Sequence, residues 1–155
     1  MNKTSLEKIK NFYYMDDHIA TAGQPTVDQF NAIKQGNYDL VINLALAESP
    51  NAIVNEDEIV HKLNMDYIHV PVDFNNPTLD DLDKFFNAMV QHQDKQIFVH
   101  CAMNWRVSAF VFLYKTIKLR IPVDDALLDL QAVWDPDDTW QAFIDSTLSH
   151  HNINY

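Results

Sequence analysis

Three short runs rich in β-branched and aromatic residues stand out: DLVINLAL at 39–46, YIHVPV at 67–72 and QIFVH at 96–100. A stretch with helical spacing of apolar residues separates each from the next. Runs of this length and composition read as buried strands. Strands joined through helices pair in parallel, because a parallel neighbour needs a long crossover. The expectation is an α/β domain with a central, mainly parallel sheet of four to five strands, flanked by helices on both faces. In such sheets ligands bind beyond the carboxyl ends of the strands.

The remaining elements follow the same logic. Residues 5–14 read as a short lead-in helix, and 18–22 as a brief strand ending in the turn Gly23-Gln24-Pro25. Thr26 caps a helix carrying Val27, Phe30 and Ile33 at helical spacing, and Gly36 ends it. A helix over 54–64 carries Val54, Ile59, Val60 and Leu63. Pro77 and Thr78 open an amphipathic helix with Leu79, Leu82, Phe85, Phe86, Met89 and Val90 in one stripe, and Thr78 with Asp81 fits a capping pattern. A helix over 107–118 turns Val107, Phe110, Val111, Tyr114 and Ile117 inward, and helices at 123–133 and 137–148 follow. With no repeat, low-complexity tract or linker, the 155 residues suit a single domain, 1–155.

Composition narrows the function. The chain has only two glycines, Gly23 and Gly36, which excludes the glycine-rich cradles of P-loop and dinucleotide-binding proteins. Its 22 acidic against 11 basic residues give a formal charge of −11, which repels nucleic acid and anionic membranes. An anionic substrate therefore needs a site with its own positive potential. The single cysteine forbids an intrachain disulfide and suits a reducing compartment. The polar N-terminus and the lack of a continuous apolar run of ~18 residues point to a cytoplasmic protein with no membrane span. The seven histidines show no ligand spacing on one helical face, so no metal or other cofactor is expected.

The most informative segment is Ile97-Phe98-Val99-His100-Cys101-Ala102-Met103-Asn104-Trp105-Arg106-Val107-Ser108. A strand delivers a cysteine into a tight loop, and a helix starts at once. Free N–H groups and the positive end of the helix dipole then face the loop's centre. An anion would be held by the backbone of Ala102, Met103, Asn104, Trp105, Arg106 and Val107, with the Arg106 guanidinium on its oxygens. The same field favours a thiolate at Cys101. A lone cysteine at a strand end also reads as a small buried apolar residue. The histidine before it and the arginine and serine after it favour a nucleophile.

The strand, His100-Cys101, Arg106 and Ser108 resemble the signature loop of the protein tyrosine and dual-specificity phosphatases. The segments Ala22-Gly23-Gln24-Pro25-Thr26 and Val41-Ile42-Asn43-Leu44, with the region from Trp134 to Trp140, resemble a bacterial branch, the beta-lactamase-hydrolase-like phosphatase domain proteins. The resemblance implies a cysteine-phosphatase fold and a phosphomonoester substrate, either a small phosphorylated molecule or a phosphoprotein. It assigns His100 to fixing the loop and tuning the thiolate, and Ser108 to bonding the sulfur. Asp73, on the loop after the preceding strand, takes the place of the general acid; Asp80 and Asp81 are weaker alternatives in a helix's first turn. Trp134-Asp135-Pro136 looks like the acid loop of tyrosine phosphatases but follows the cysteine, so a helix break with an aspartate cap is the expectation there.

One departure matters. Arg106 follows Cys101 after four residues where the family has five, Val107 takes the arginine's usual place, and Asn104 stands where glycine is common. A one-residue shift at a helix start turns a side chain by ~100°. Two other readings stay open: a rhodanese-like sulfurtransferase carrying a persulfide on Cys101, whose loop is often one residue shorter, and an anion-binding module without turnover.

Overall fold

The structure, a computed structural model, describes residues 3–154. Five strands form one sheet: β1 (Tyr13–Tyr14), β2 (Ile19–Ala22), β3 (Leu40–Asn43), β4 (Asp66–His69) and β5 (Ile97–His100), in the order β1-β2-β5-β3-β4. Only the β1–β2 pair is antiparallel. In register, His100 of β5 lies opposite Ala22 on one side and Asn43 on the other. The carboxyl ends of the three inner strands are therefore level, and Gly23, Leu44 and Cys101 leave the sheet side by side.

Side chains alternate across the sheet as the pleat requires. Ala20, Val41 and Phe98 pack with Leu6, Phe30, Ile33 and Val60, residues that belong to or flank α1 (Lys3–Glu7), α2 (Gln29–Gln35) and α3 (Glu56–Lys62). Ile19, Leu40, Ile42, Ile97 and Val99 meet the opposite layer, made of α4 (Leu79–Gln91), α5 (Trp105–Ile117), α6 (Val123–Val133) and α7 (Asp138–His150). From Arg106 to Ile117 every residue of α5 is buried, so this helix is covered on all sides by the sheet, α4, α6 and α7. Full burial of a Phe such as Phe110 contributes roughly 1.5–3 kcal/mol. The innermost strand and the innermost helix are thus the two elements that flank Cys101.

Some local expectations change. The helix over 5–14 stops at Glu7, and Tyr13 and Tyr14 instead pair with β2 as an edge strand. The left-handed backbone of Asn11, at φ 51°, turns the chain between them. The N-cap of α2 is Asp28, and Thr26 instead forms a reciprocal box on the turn before it: Thr26 Oγ1 accepts from the Gln29 N–H, and the Thr26 N–H donates to Gln29 Oε1. Gly36 follows α2 with φ −78°, while the left-handed residue is Asn37 at φ 69°. Val27, Val54, Leu79 and Val90 are exposed, because each sits at an element's rim. Among the described residues no helix is long and apolar enough to cross a membrane.

Candidate active site

The loop after β5 is tied to its neighbours on every side. The Cys101 N–H donates to the Ala22 carbonyl at 3.3 Å, and the Gln24 N–H donates to the Ala102 carbonyl at 3.1 Å. Asn51 Nδ2 also reaches Ala102 O, and Asn11 Nδ2 donates to Met103 O at 2.9 Å. His100 Nδ1 lies 3.2 Å from the Cys101 carbonyl. With these three carbonyls engaged from outside, the trans peptides turn the N–H groups of Ala102, Met103 and Asn104 the opposite way.

Asn104 makes the bend, in the left-handed conformation, at φ 69°. Its side chain turns away from the cysteine, with Nδ2 donating to Asn11 O at 2.9 Å and Thr21 Oγ1 at 3.0 Å. The first helical bond of α5 runs from the Ser108 N–H to Asn104 O at 3.0 Å. Trp105, Arg106 and Val107 accordingly have N–H groups without an intrahelical acceptor.

Cys101 lines a cleft of about 200 Å³ together with Met103, Trp105, Arg106 and Phe74. The cysteine and Arg106 are both buried. Arg106 Nη1 donates to the Val72 carbonyl at 2.9 Å, and its guanidinium carbon lies 6.0 Å from the Phe74 ring centre. The displaced arginine therefore shares a cleft with the cysteine. Phe74 leans on Trp105, Trp134 and Trp140, and Trp134 stacks on Trp105 at 5.2 Å. Trp140 Nε1 donates to the Phe74 carbonyl at 2.8 Å. Residues 72 and 74 are thus gripped from α5 and α7.

Asp73 lies between those two anchors. It is exposed, its Oδ1 accepts from the Asn75 N–H at 2.9 Å, and Phe74 is the residue of this loop that lines the cleft. Asp80 and Asp81 stand in the first turn of α4, with the Asp81 N–H on the capping Thr78 Oγ1. Asp137 caps α7 by accepting from the Trp140 N–H at 2.9 Å, so the segment after Trp134 is a helix break, as its sequence implies.

Ser108 and Val107 do not line this cleft. Ser108 does not bond the sulfur here; its Oγ donates to the Trp105 carbonyl at 3.1 Å. A hydroxyl has one proton, and the helix's first turn claims it. Val107 sends its side chain wholly into the core, so only its N–H is available to an anion.

The sequence reading passes over Glu56 entirely. This carboxylate is buried, and its Oε2 lies 2.6 Å from His100 Nε2, while Gln24 Nε2 donates to Oε1 at 2.7 Å. Tyr67 adds a further hydrogen bond and itself accepts from Asn43 Nδ2 at 3.0 Å. Burial pushes the Glu56 carboxyl up, but the charge of His100 and the bonds from His100, Gln24 and Tyr67 outweigh it and hold the group below its ordinary value. Glu56 opens an acidic first turn, Glu56-Asp57-Glu58, a pattern that by itself signals only a helix start.

No curated protein matches the chain. Among solved structures, a presumed phosphatase (DUF442) from Shewanella putrefaciens CN-32 is 31% identical, with a TM-score of 0.86 over 97% of this chain and 99% of that one. PTPMT1 in complex with PI(5)P shares the fold at 14% identity and TM-score 0.75, covering 91% of this chain and 96% of that one. So does a cysteine-to-serine variant of Pseudomonas aeruginosa TpbA in complex with pTyr, at 11% identity and TM-score 0.70, covering 93% and 91%. The family model described as "DSP-PTPase phosphatase fused to NAD+ Kinase" matches residues 5–145. With nearly the whole chain inside that match, this protein belongs to the DSP-PTPase phosphatase family.

Proposed function

We propose that this protein hydrolyses a phosphomonoester through a phosphocysteine intermediate. The observation that carries the reading is the sharing of one cleft by Cys101 and Arg106 in front of the free amides of α5. The Cys101 thiolate attacks phosphorus, forming an S–P bond as the P–O bond to the leaving group breaks. Loop amides and Arg106 hold the three phosphoryl oxygens as charge develops. Asp73 gives its proton to the leaving oxygen, then takes one from the water that cleaves the S–P bond and releases phosphate. His100 anchors the loop from behind, and Ser108 steadies the sulfur once its hydroxyl swings from Trp105.

A phosphorylated ligand suits the family: the PTPMT1 structure holds PI(5)P and the TpbA structure pTyr. The cleft walls of this chain, Phe74, Trp105 and Met103, favour an apolar or aromatic group next to the phosphate. The family match favours phosphoryl transfer over a Cys101 persulfide, and the shared cleft favours turnover over simple anion binding.

The test is hydrolysis of a generic aryl phosphate from mildly acidic to neutral pH, with thiosulfate-to-cyanide transfer measured alongside. Cys101→Ser should abolish hydrolysis. Asp73→Asn should slow it by about 10²–10⁴-fold, the usual contribution of a general acid. Sulfur transfer without hydrolysis would overturn the reading.

A further inference from the structure

We infer that Glu56 is a positioning residue for the nucleophile, acting through His100 on the carbonyl of Cys101. The inference rests on the phosphocysteine reading only in taking Cys101 as the reacting group. Glu56 and His100 are 3% and 0% exposed and 44 residues apart in sequence, so the fold has brought two ionisable groups together out of water. Such a pair is costly to bury unless every polar atom is engaged, and here nearly all are. One Glu56 oxygen takes His100, and the other takes Gln24, whose position follows from the close approach of Gly23 to the loop.

The imidazole has an oxygen at each nitrogen, Glu56 Oε2 at 2.6 Å and Cys101 O at 3.2 Å. A neutral imidazole has one N–H and serves one of these acceptors; the imidazolium serves both. Glu56 at Nε2 fixes the ring so that Nδ1 stays against the Cys101 carbonyl and holds that carbonyl outward. The Ala102 N–H then points toward the loop's centre. Without the Glu56 carboxylate the ring loses one of its two anchors, and its hold on the Cys101 carbonyl loosens. Other ionisable groups lie close: Tyr67 bonds to Glu56, Asp57, His61 and His69 line a cavity of about 390 Å³ with it, and Arg106 shares the cleft with Cys101.

The experiment follows alkylation of Cys101 by iodoacetamide against pH, read by mass spectrometry; the chain has no other cysteine. Wild type, Glu56→Gln, His100→Asn and the double variant are compared. Glu56→Gln should raise the thiol's apparent pKa, and each unit of rise slows alkylation below it by about tenfold. In the His100→Asn background the Glu56 substitution should have no further effect, because the coupling runs through the ring. An unchanged or lowered thiol pKa in Glu56→Gln, or additive effects in the double variant, would overturn the inference. If Glu56→Gln does not fold, Tyr67→Phe weakens the same carboxylate and should shift the thiol the same way by less; no shift would sink the idea. Rapid alkylation at low pH without phosphate turnover would defeat the phosphatase reading and leave this one standing.

Discussion

Gly23 lies so close to the loop after Cys101 that a Cβ built on it stands 2.6 Å from the Ala102 carbonyl oxygen. That oxygen also accepts from the Gln24 N–H, so the contact and the bond come from one approach of two backbones. Gly23→Ala forces them apart. Overpacking of this kind costs roughly 1–3 kcal/mol, to be measured by urea unfolding. The same variant should lose affinity for phosphate or vanadate, measured by competition in the aryl phosphate assay.

Asn104 offers a cleaner separation of backbone from side chain. Its φ of 69° suits glycine, while its amide bonds to Asn11 and Thr21. Asn104→Gly should keep the loop's path and lose about 1 kcal/mol per missing hydrogen bond. Asn104→Ala should lose the same bonds while keeping a Cβ in the left-handed region, and so fall about 1–2 kcal/mol below Asn104→Gly. Thermal melts that rank Ala as the milder substitution would contradict this account.

Trp140 holds the loop of Asp73 through the Phe74 carbonyl. Trp140→Phe keeps most of the ring and removes the N–H. Stability should fall by roughly 1 kcal/mol, and kcat should fall more than KM rises, since the loss is in placement of Asp73, the proposed acid. Equal kcat in variant and wild type would show that this anchor is not needed for turnover.

Glu56 also sets a pH dependence. Its carboxyl in the folded protein sits below the ordinary 4.5, so the unfolded chain binds this proton more readily. The resulting stability is fully present above 4.5 and is lost as pH falls through the folded value. The Tm of wild type should exceed that of Glu56→Gln at neutral pH, and the gap should narrow on acidification below 4.5. A gap that stays constant would mean the carboxylate's charge contributes nothing.

The pattern of apolar runs revealed the sheet because strand and helix periods are local properties. The candidate loop around Cys101 was legible for the same reason: the cysteine, the bend at Asn104 and the arginine are contiguous. Thr78 and Asp137 were legible as caps, since a cap bonds three residues ahead. What stayed hidden depends on distant partners. Glu56 looks like any acid in a helix's first turn until α3 folds against β5. Ser108 has a nearer acceptor in Trp105 O, which no spacing discloses. The edge strand at Tyr13 and Tyr14 exists only because β2 is beside it. Exposed Val27 and Val54 show the reverse error, apolar residues in helical register that the tertiary structure leaves uncovered.

The grip of Trp140 on Phe74 has a consequence for how the protein is made. The cysteine loop, its arginine and the aspartate loop all leave the ribosome before α7 does. Until α7 docks, Phe74 O lacks its donor and α5 lacks part of its cover. A nascent chain that already carries Cys101 and Arg106 therefore does not yet hold the finished cleft. Order in synthesis keeps the cleft unfinished until α7 closes it.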